Sequence, residues 1–346
     1  MNRRQFNQAT VAIGATIALP TLADPTDTVV SMDLELEQKN QLVRIGLICV
    51  GGADGNTVAS IVRGLPDITR TIAIDTDVVA LNSAGADRLV LIGSGVEKPQ
   101  HPHQAFEMAK KQANQIEAAM NDFDLVFVVA GMYGAAGKGI APVIANIARM
   151  KRIIILGIAI MPTEWLDVHS TPRARYGIHE FQRAGATVFP INSPCMATKY
   201  GGDYSNISQT IKTLFFSVSR SLNQSRGIGI DLEELNLALT PGGVASIGFG
   251  SAKGANRAER AIQLAITHPL LGANKLRTAT GVLVNIRGNP ANFMFSEFKM
   301  VARFVGSYLL CDPWHLYSTS ADESVGDELF VSILATAAGS ENRPTI

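Results

Sequence analysis

Two glycine-rich stretches of this 346-residue chain each follow an apolar run: Gly51-Gly52-Ala53-Asp54-Gly55-Asn56 after Ile45 to Val50, and Gly131 to Gly139 after Asp124 to Ala130. Glycine lets backbone amides approach an anion with no Cβ in the way, and a helix starting just after such a turn adds the positive end of its dipole. The chemistry that fits this spacing is the holding of a phosphate. Asp54 puts a negative charge beside the first turn, which is unfavourable for a phosphate unless a cation lies between them. Lys138 adds a positive charge to the second turn, but it makes no Walker loop. Met132 stands five residues before Gly137, and Gly139 rather than Ser or Thr follows Lys138. A third stretch, Gly229 to Leu235, carries Asp231, Glu233 and Glu234. Those carboxylates suit the acidic first turn of a helix, where its dipole favours them.

Other reactive residue types lead nowhere. His101 and His103 flank Pro102 with no third ligand nearby, so no metal site is assigned to them. Cys49, Cys195 and Cys311 are far apart, sit in or beside apolar runs and include no Cys-x-x-Cys pair, which reads as structural thiols. Thirty basic residues balance thirty acidic ones, so no net field draws the chain to nucleic acid, and nucleic acid is not expected as a partner. With 47% of its residues apolar the chain can bury a sizeable core in one large domain or two.

The elements that must position the turns alternate. Strands are expected over Val43–Val50, Thr71–Ile74, Asp124–Met132 and Arg152–Ile160, with helices over Gly55–Arg63, Ala105–Met120 and Ile140–Ala148. Such alternation predicts an α/β, doubly wound parallel sheet, whose ligands bind at the carboxyl ends of the strands. Ile207, Ile211, Leu214, Phe215, Val218 and Leu222 recur at three- and four-residue steps, which predicts one long helix with Ser205 as its cap. Beyond it come a helix over Asn256–Ala265 and strands over Gly281–Gly288 and Glu328–Ala338, the pattern of an α+β unit. The expected organisation is a leader and connector over 1–40, a nucleotide-binding domain over 41–202, a central helix over 203–226 and a C-terminal α+β domain over 227–340.

The leader itself has Arg3-Arg4, an apolar stretch and a small-residue end at Ala23, and it resembles a twin-arginine export signal. A cytoplasmic leader and an uncleaved membrane anchor are the other readings. Its apolar part is shorter than the roughly 20 residues of a comfortable membrane span.

In order, the chain carries GGADGN, IDTD at Ile74–Asp77, LIGSG at Leu91–Gly95, AGMYGAAGKGIAP at Ala130–Pro142, GIDLEEL at Gly229–Leu235 and GVLVNI at Gly281–Ile286. This ordered set resembles the FtsZ/tubulin family, in particular its bacterial FtsZ branch, over roughly Val43 to Gly339. The resemblance implies a nucleotide site for GTP or GDP, with Mg2+ as a companion ion, built from Gly51, Gly52, Gly55, Asn56, Asp75, Thr76, Asp77, Gly131, Gly134, Ala135, Ala136, Gly137, Lys138 and Gly139. Asn192 matches the guanine-reading Asn, and Gln209 falls at or near the Asp that pairs with the base. The resemblance also implies hydrolysis at a head-to-tail contact, with Asp231 and Glu234 in the catalytic positions and Gly229 where the family has Asn. Self-association and a cytoplasmic site of action belong to the same expectation, while contact with a membrane is expected only through the apolar segment before Asp24, as a direct anchor or through a membrane-associated partner.

Departures from the family pattern cluster at the nucleotide. Its GGGTGTG loop reads Tyr133-Gly134-Ala135-Ala136-Gly137-Lys138-Gly139 here, which removes the hydroxyl at Ala136 and leaves Lys138 to offset that loss by charge. The loop that approaches the terminal phosphate is shortened to Lys98–Ala105, where two prolines remove amide donors. The ribose-side Glu falls on Leu166 and the phosphate-side Arg on Ser170, with Asp167, Arg173 and Arg175 close by in sequence. The expectation is therefore a filament or scaffold protein with weak or absent hydrolysis. A working GTPase with rearranged contacts, or an exported binding module without nucleotide, are the alternatives.

Overall fold

A computed structural model describes residues 42–51, 68, 70–96, 98–161, 170–192, 204–223, 227–239, 243–310 and 313–337. The leader, Asp54, the helix expected over Gly55–Arg63, Leu166, Asp167, Cys195 and Cys311 lie outside the described residues.

Ten strands form one sheet in the order β3-β2-β1-β4-β5-β6-β7-β10-β8-β9. They are β1 Ile45–Val50, β2 Arg70–Asp75, β3 Arg88–Leu91, β4 Leu125–Gly131, β5 Ile154–Met161, β6 Thr187–Asn192, β7 Val244–Lys253, β8 Gly281–Gly288, β9 Trp314–Ala321 and β10 Glu328–Ala337. The first six run parallel, and β7 joins them in parallel through Val188 and Val244. β10 then pairs antiparallel with both β7 and β8. Central parallel strands are covered on both faces, which is why β1 and β4 read as unbroken apolar runs and are buried throughout.

The helices are α1 Val78–Ser83, α2 Pro102–Lys111, α3 Ala113–Met120, α4 Ala135–Met150, α5 Ser170–Arg183, α6 Tyr204–Leu222, α7 Leu232–Ala238, α8 Arg257–Ile266, α9 Ala273–Arg277 and α10 Phe295–Tyr308. Successive strand residues point to opposite faces. Ile48, Val50, Val126 and Val128 therefore pack under α4 and α5 with Ile140, Ile144 and Phe181. Ile45, Leu47, Phe127 and Leu156 pack on the other face against Ile211, Leu214, Phe215, Val218 and Leu222 of α6, the stripe read from the sequence. A third core lies between β7, β8, β10 and the helices α8 and α10.

Three local expectations are corrected. The single helix over Ala105–Met120 is broken at Gln112, whose backbone leaves the helical region because its side chain is used elsewhere. Its amide oxygen accepts from Gly93 N at 2.6 Å and its nitrogen donates to Leu91 O at 3.2 Å, satisfying the turn after β3. The helix expected from Ile140 begins at Ala135, so Gly137 and Gly139 sit within its first turns. Ser205 lies inside α6, one residue past its start, rather than capping it.

Where α6 crosses the antiparallel half of the sheet the contact is polar. Ser217 Oγ donates to Ser332 Oγ at 2.7 Å, Ser221 Oγ and Ser318 Oγ are 2.6 Å apart, and Asn285 Nδ2 donates to Ser318 and Ser320 at 2.9 and 2.8 Å. All six residues are buried. Such a network holds because its members satisfy one another, whereas an unpaired buried hydroxyl would destabilise the seam.

Candidate functional site

The carboxyl ends of β1, β2 and β4 converge on the start of α4. Gly51 follows β1 with φ +34°, and its amide donates to Ile74 O at 3.1 Å. A Cβ on Gly51 would stand 2.6 Å from Ala136 Cβ and 2.9 Å from Gly137 N, and one on Gly137 would overlap the Gly131 carbonyl. Gly139 is closed in the same way by Pro102 O and Ala105 at the start of α2. The glycines thus bring three backbone segments within contact distance, which no side chain would allow.

Gly134 caps α4 without a side chain, leaving the amides of Ala135, Ala136 and Gly137 with no capping side chain over them. A sixteen-residue helix opening on uncapped amides has the chemistry to attract an anion. Lys138 is buried at the fourth position, and its Nζ donates to Tyr133 O at 3.3 Å. Burial, with Arg173 of α5 adding like charge, holds its pKa below the ordinary 10.5.

Asp75 and Asp77 are tied into the turn after β2. Asp75 Oδ1 accepts from the amides of Thr76 and Asp77 at 2.6 and 3.1 Å, and Thr76 is buried. Asp77 caps α1 by accepting from Val79 and Ala80, and its other oxygen is 2.8 Å from Lys98 Nζ. Lys98 and the two amides hold the Asp77 carboxyl below its usual range, and Asp77 raises Lys98 in return. Lys98 therefore spends its charge on Asp77. Beneath the cleft, burial pushes the Cys49 thiol up to about 12, so it stays protonated and inert.

The structure brings Gly51, Gly131, Gly134, Ala135, Ala136, Gly137, Lys138 and Gly139 together and sets Asp75, Thr76 and Asp77 on the neighbouring strand end. Gly52, Gly55 and Asn56 lie outside the described residues. Asn192 ends β6 in register with Met161, and Gln209 is exposed near the start of α6. Asp231 and Glu234 are elsewhere. Asp231 caps α7, accepting from Glu234 N at 2.8 Å while Glu234 accepts from Asp231 N at 3.0 Å. This reciprocal box sits at the far end of α6, because Asn223, just past that helix, bonds both N and O of Val43 at 2.8 and 2.9 Å, ahead of β1. The acidic turn and the glycine cleft therefore lie at opposite ends of the strands of the parallel sheet.

Sequence reasoning missed Gly177 of α5. A Cβ there would stand 2.5 Å from Lys138 Cγ, so the glycine makes room for the lysine stem. A glycine within a helical segment is the signal that could have found it.

A profile described as Tubulin/FtsZ family, GTPase domain, matches residues 44–196, and one described as FtsZ family, C-terminal domain, matches residues 243–339. The cell division protein FtsZ of Wigglesworthia glossinidia brevipalpis is 28% identical over 312 residues, which cover 87% of this chain and 81% of that protein. The empty FtsZ dimer of M. jannaschii superposes with a TM-score of 0.76 at 24% identity, over 86% of this chain and 89% of that one. The GTPγS-bound protofilament of CetZ2 from Haloferax volcanii gives 0.70 at 20% identity, over 86% and 95%. With both halves matched in order and the fold shared, the chain is a divergent member of the FtsZ/tubulin family of cell-division and cytoskeletal filament proteins.

Proposed function

We propose that this protein holds GTP or GDP at the start of α4 and assembles head to tail into a filament or scaffold for cell division or membrane remodelling, with weak or absent hydrolysis. One observation carries the reading: the anion cleft and the acidic turn at Asp231 lie at opposite ends of α6, whose nineteen residues span about 28 Å. A single subunit cannot bring Asp231 to its own cleft, whereas a second copy stacked on the first can. A contact of that kind is heterologous and propagates into a filament unless its rotation closes.

The phosphate chemistry fits the residues present, since Gly51, Gly137 and Gly139 let three backbone segments close together and the helix end has no capping side chain. When bound, the nucleotide supplies the charge that the cleft neutralises. Mg2+ would accompany the nucleotide on its phosphates with water.

Weak hydrolysis follows from the acidic turn. Asp231 and Glu234 each commit one oxygen to the helix cap, and Gly229 offers no side chain to position water. A displacement of about 1 Å in an orienting group can cost about a hundredfold in rate. No helix among the described residues is long and apolar enough to cross a membrane. Contact with a membrane would then fall to the leader or to a partner.

Sedimentation and light scattering of the full chain with GTP, with GDP and without nucleotide test the reading. Assemblies with turnover near background support it, and a persistent monomer in all three overturns it. GTP turnover that Asp231→Ala abolishes would establish the working GTPase instead. The mass of the mature amino terminus separates an exported form from an uncleaved leader.

A further inference from the structure

Ile228 stands between the end of α6 and the acidic turn, and both of its backbone groups go to one residue of the C-terminal half. Its amide donates to Thr319 Oγ1 at 2.8 Å, and Thr319 N donates to its carbonyl at 2.9 Å. Thr319 is buried on β9, the strand that ends the sheet with β8 along its other side. Beside it, Ser318 Oγ lies 2.6 Å from Ser221 Oγ in the last turn of α6. Ile230 is buried two residues beyond Ile228, and its amide donates to Ser221 O at 2.9 Å. Two adjacent residues of β9 thus brace the end of α6 and the segment that leads into Asp231. Ile228 itself is 40% exposed, so water could serve its amide nearly as well as the threonine does. The hydroxyl therefore fixes where this segment lies more than it stabilises the fold.

We propose that Thr319 is a positioning residue for the head-to-tail contact: its hydroxyl sets the place of Asp231 and Glu234 before the next copy docks. The inference rests on the filament reading above and names the residue that presents one of the two faces of the subunit. A segment already held loses little freedom on docking, whereas a loose one must be ordered in the same step. The glycine cleft lies at the other end of the strands and makes no use of Thr319. Loss of the hydroxyl should therefore damage one face and spare the other.

The test is sedimentation and light scattering of full-length protein with GTP, with nucleotide content and thermal melting measured alongside. Thr319→Val keeps the branched shape that suits a strand and removes the acceptor. It should retain nucleotide as wild type does and need about tenfold more protein to assemble, the scale of one lost hydrogen bond. Thr319→Ser restores the hydroxyl and should assemble within about threefold of the wild-type concentration. Mixed as a minor share into wild type, Thr319→Val should shorten the assemblies, because it joins through its intact cleft and then offers a loosened acidic face. A fold merely weakened would not end the growth of its neighbours. Thr319→Val that assembles as wild type, that leaves mixed assemblies unchanged, or whose defect Thr319→Ser shares, overturns the inference. Should Thr319→Val melt far below wild type, hydrogen exchange of unassembled wild type decides: slow exchange at the Ile228 and Ile230 amides supports a segment set in advance, and fast exchange overturns it. Wild type that stays monomeric in every buffer removes the filament reading together with this one, whereas wild type that assembles beside an unaffected Thr319→Val removes this one alone.

Discussion

Gly137 shows how little freedom the cleft leaves to a single residue. A methyl group at this position meets the Gly131 carbonyl, so Gly137→Ala must push α4 away from β4. Overpacking of this kind costs about 1–3 kcal/mol, to be read as a lowered denaturation midpoint, and it should abolish retention of nucleotide during purification. Arg257 makes the opposite point, for stability without a role in the cleft. It is buried, with Glu297 at 2.6 and 3.0 Å, Asp327 at 3.0 Å and Asn292 at 2.7 and 3.1 Å. Arg257→Ala leaves these partners without their shared donor and should cost roughly 2–4 kcal/mol in urea unfolding, with nucleotide content unchanged. Asp87 carries a pH dependence. The amide and hydroxyl of Thr71, both at 2.8 Å, hold its folded pKa below the ordinary value. A depressed carboxyl stabilises the fold above its unfolded pKa of about 3.9, and that contribution fades as pH falls through the lower folded value. Asp87→Asn should therefore be less stable than wild type near neutrality, and the two melting curves should converge in acid. The glycines at 51, 137 and 139 were legible because a turn whose backbone segments close together is a local demand. The place of Lys138 was not, since it depends on Gly177 across another helix.

Among the elements, α6 and α7 separate what pattern can reveal from what it cannot. The apolar stripe of α6 was readable because burial along one face imposes a period of three to four residues. The break at Gln112 was not, since it follows from two bonds to a turn some twenty residues earlier in the chain. The acidic turn was readable in composition, and the capping box gives those carboxylates a structural task whatever else they do. Asp231→Asn retains an Ncap oxygen, whereas Asp231→Ala should destabilise the protein by about 1 kcal/mol. Comparing the two in calorimetry and in sedimentation separates the cap from the contact between subunits. Loss of assembly in both variants, with loss of stability in the alanine form alone, is the expected pattern.

On the scale of the molecule, the sequence announced a parallel sheet followed by an α+β half, and both are present. That β7 would join β6, making one ten-stranded sheet, was not visible, because adjacency of strands far apart in sequence leaves no local period. The helix that links the halves is clamped at its far end by Asn223, whose side chain holds Val43 ahead of β1. If copies stack through the two ends of this sheet, tension along the filament runs parallel to the strands and to α6. Such a load shears each ladder of hydrogen bonds all at once instead of peeling them open one by one. The Asn223 clamp lies where that pull would enter the neighbouring subunit, which makes it the stitch that keeps the first strand from being drawn out.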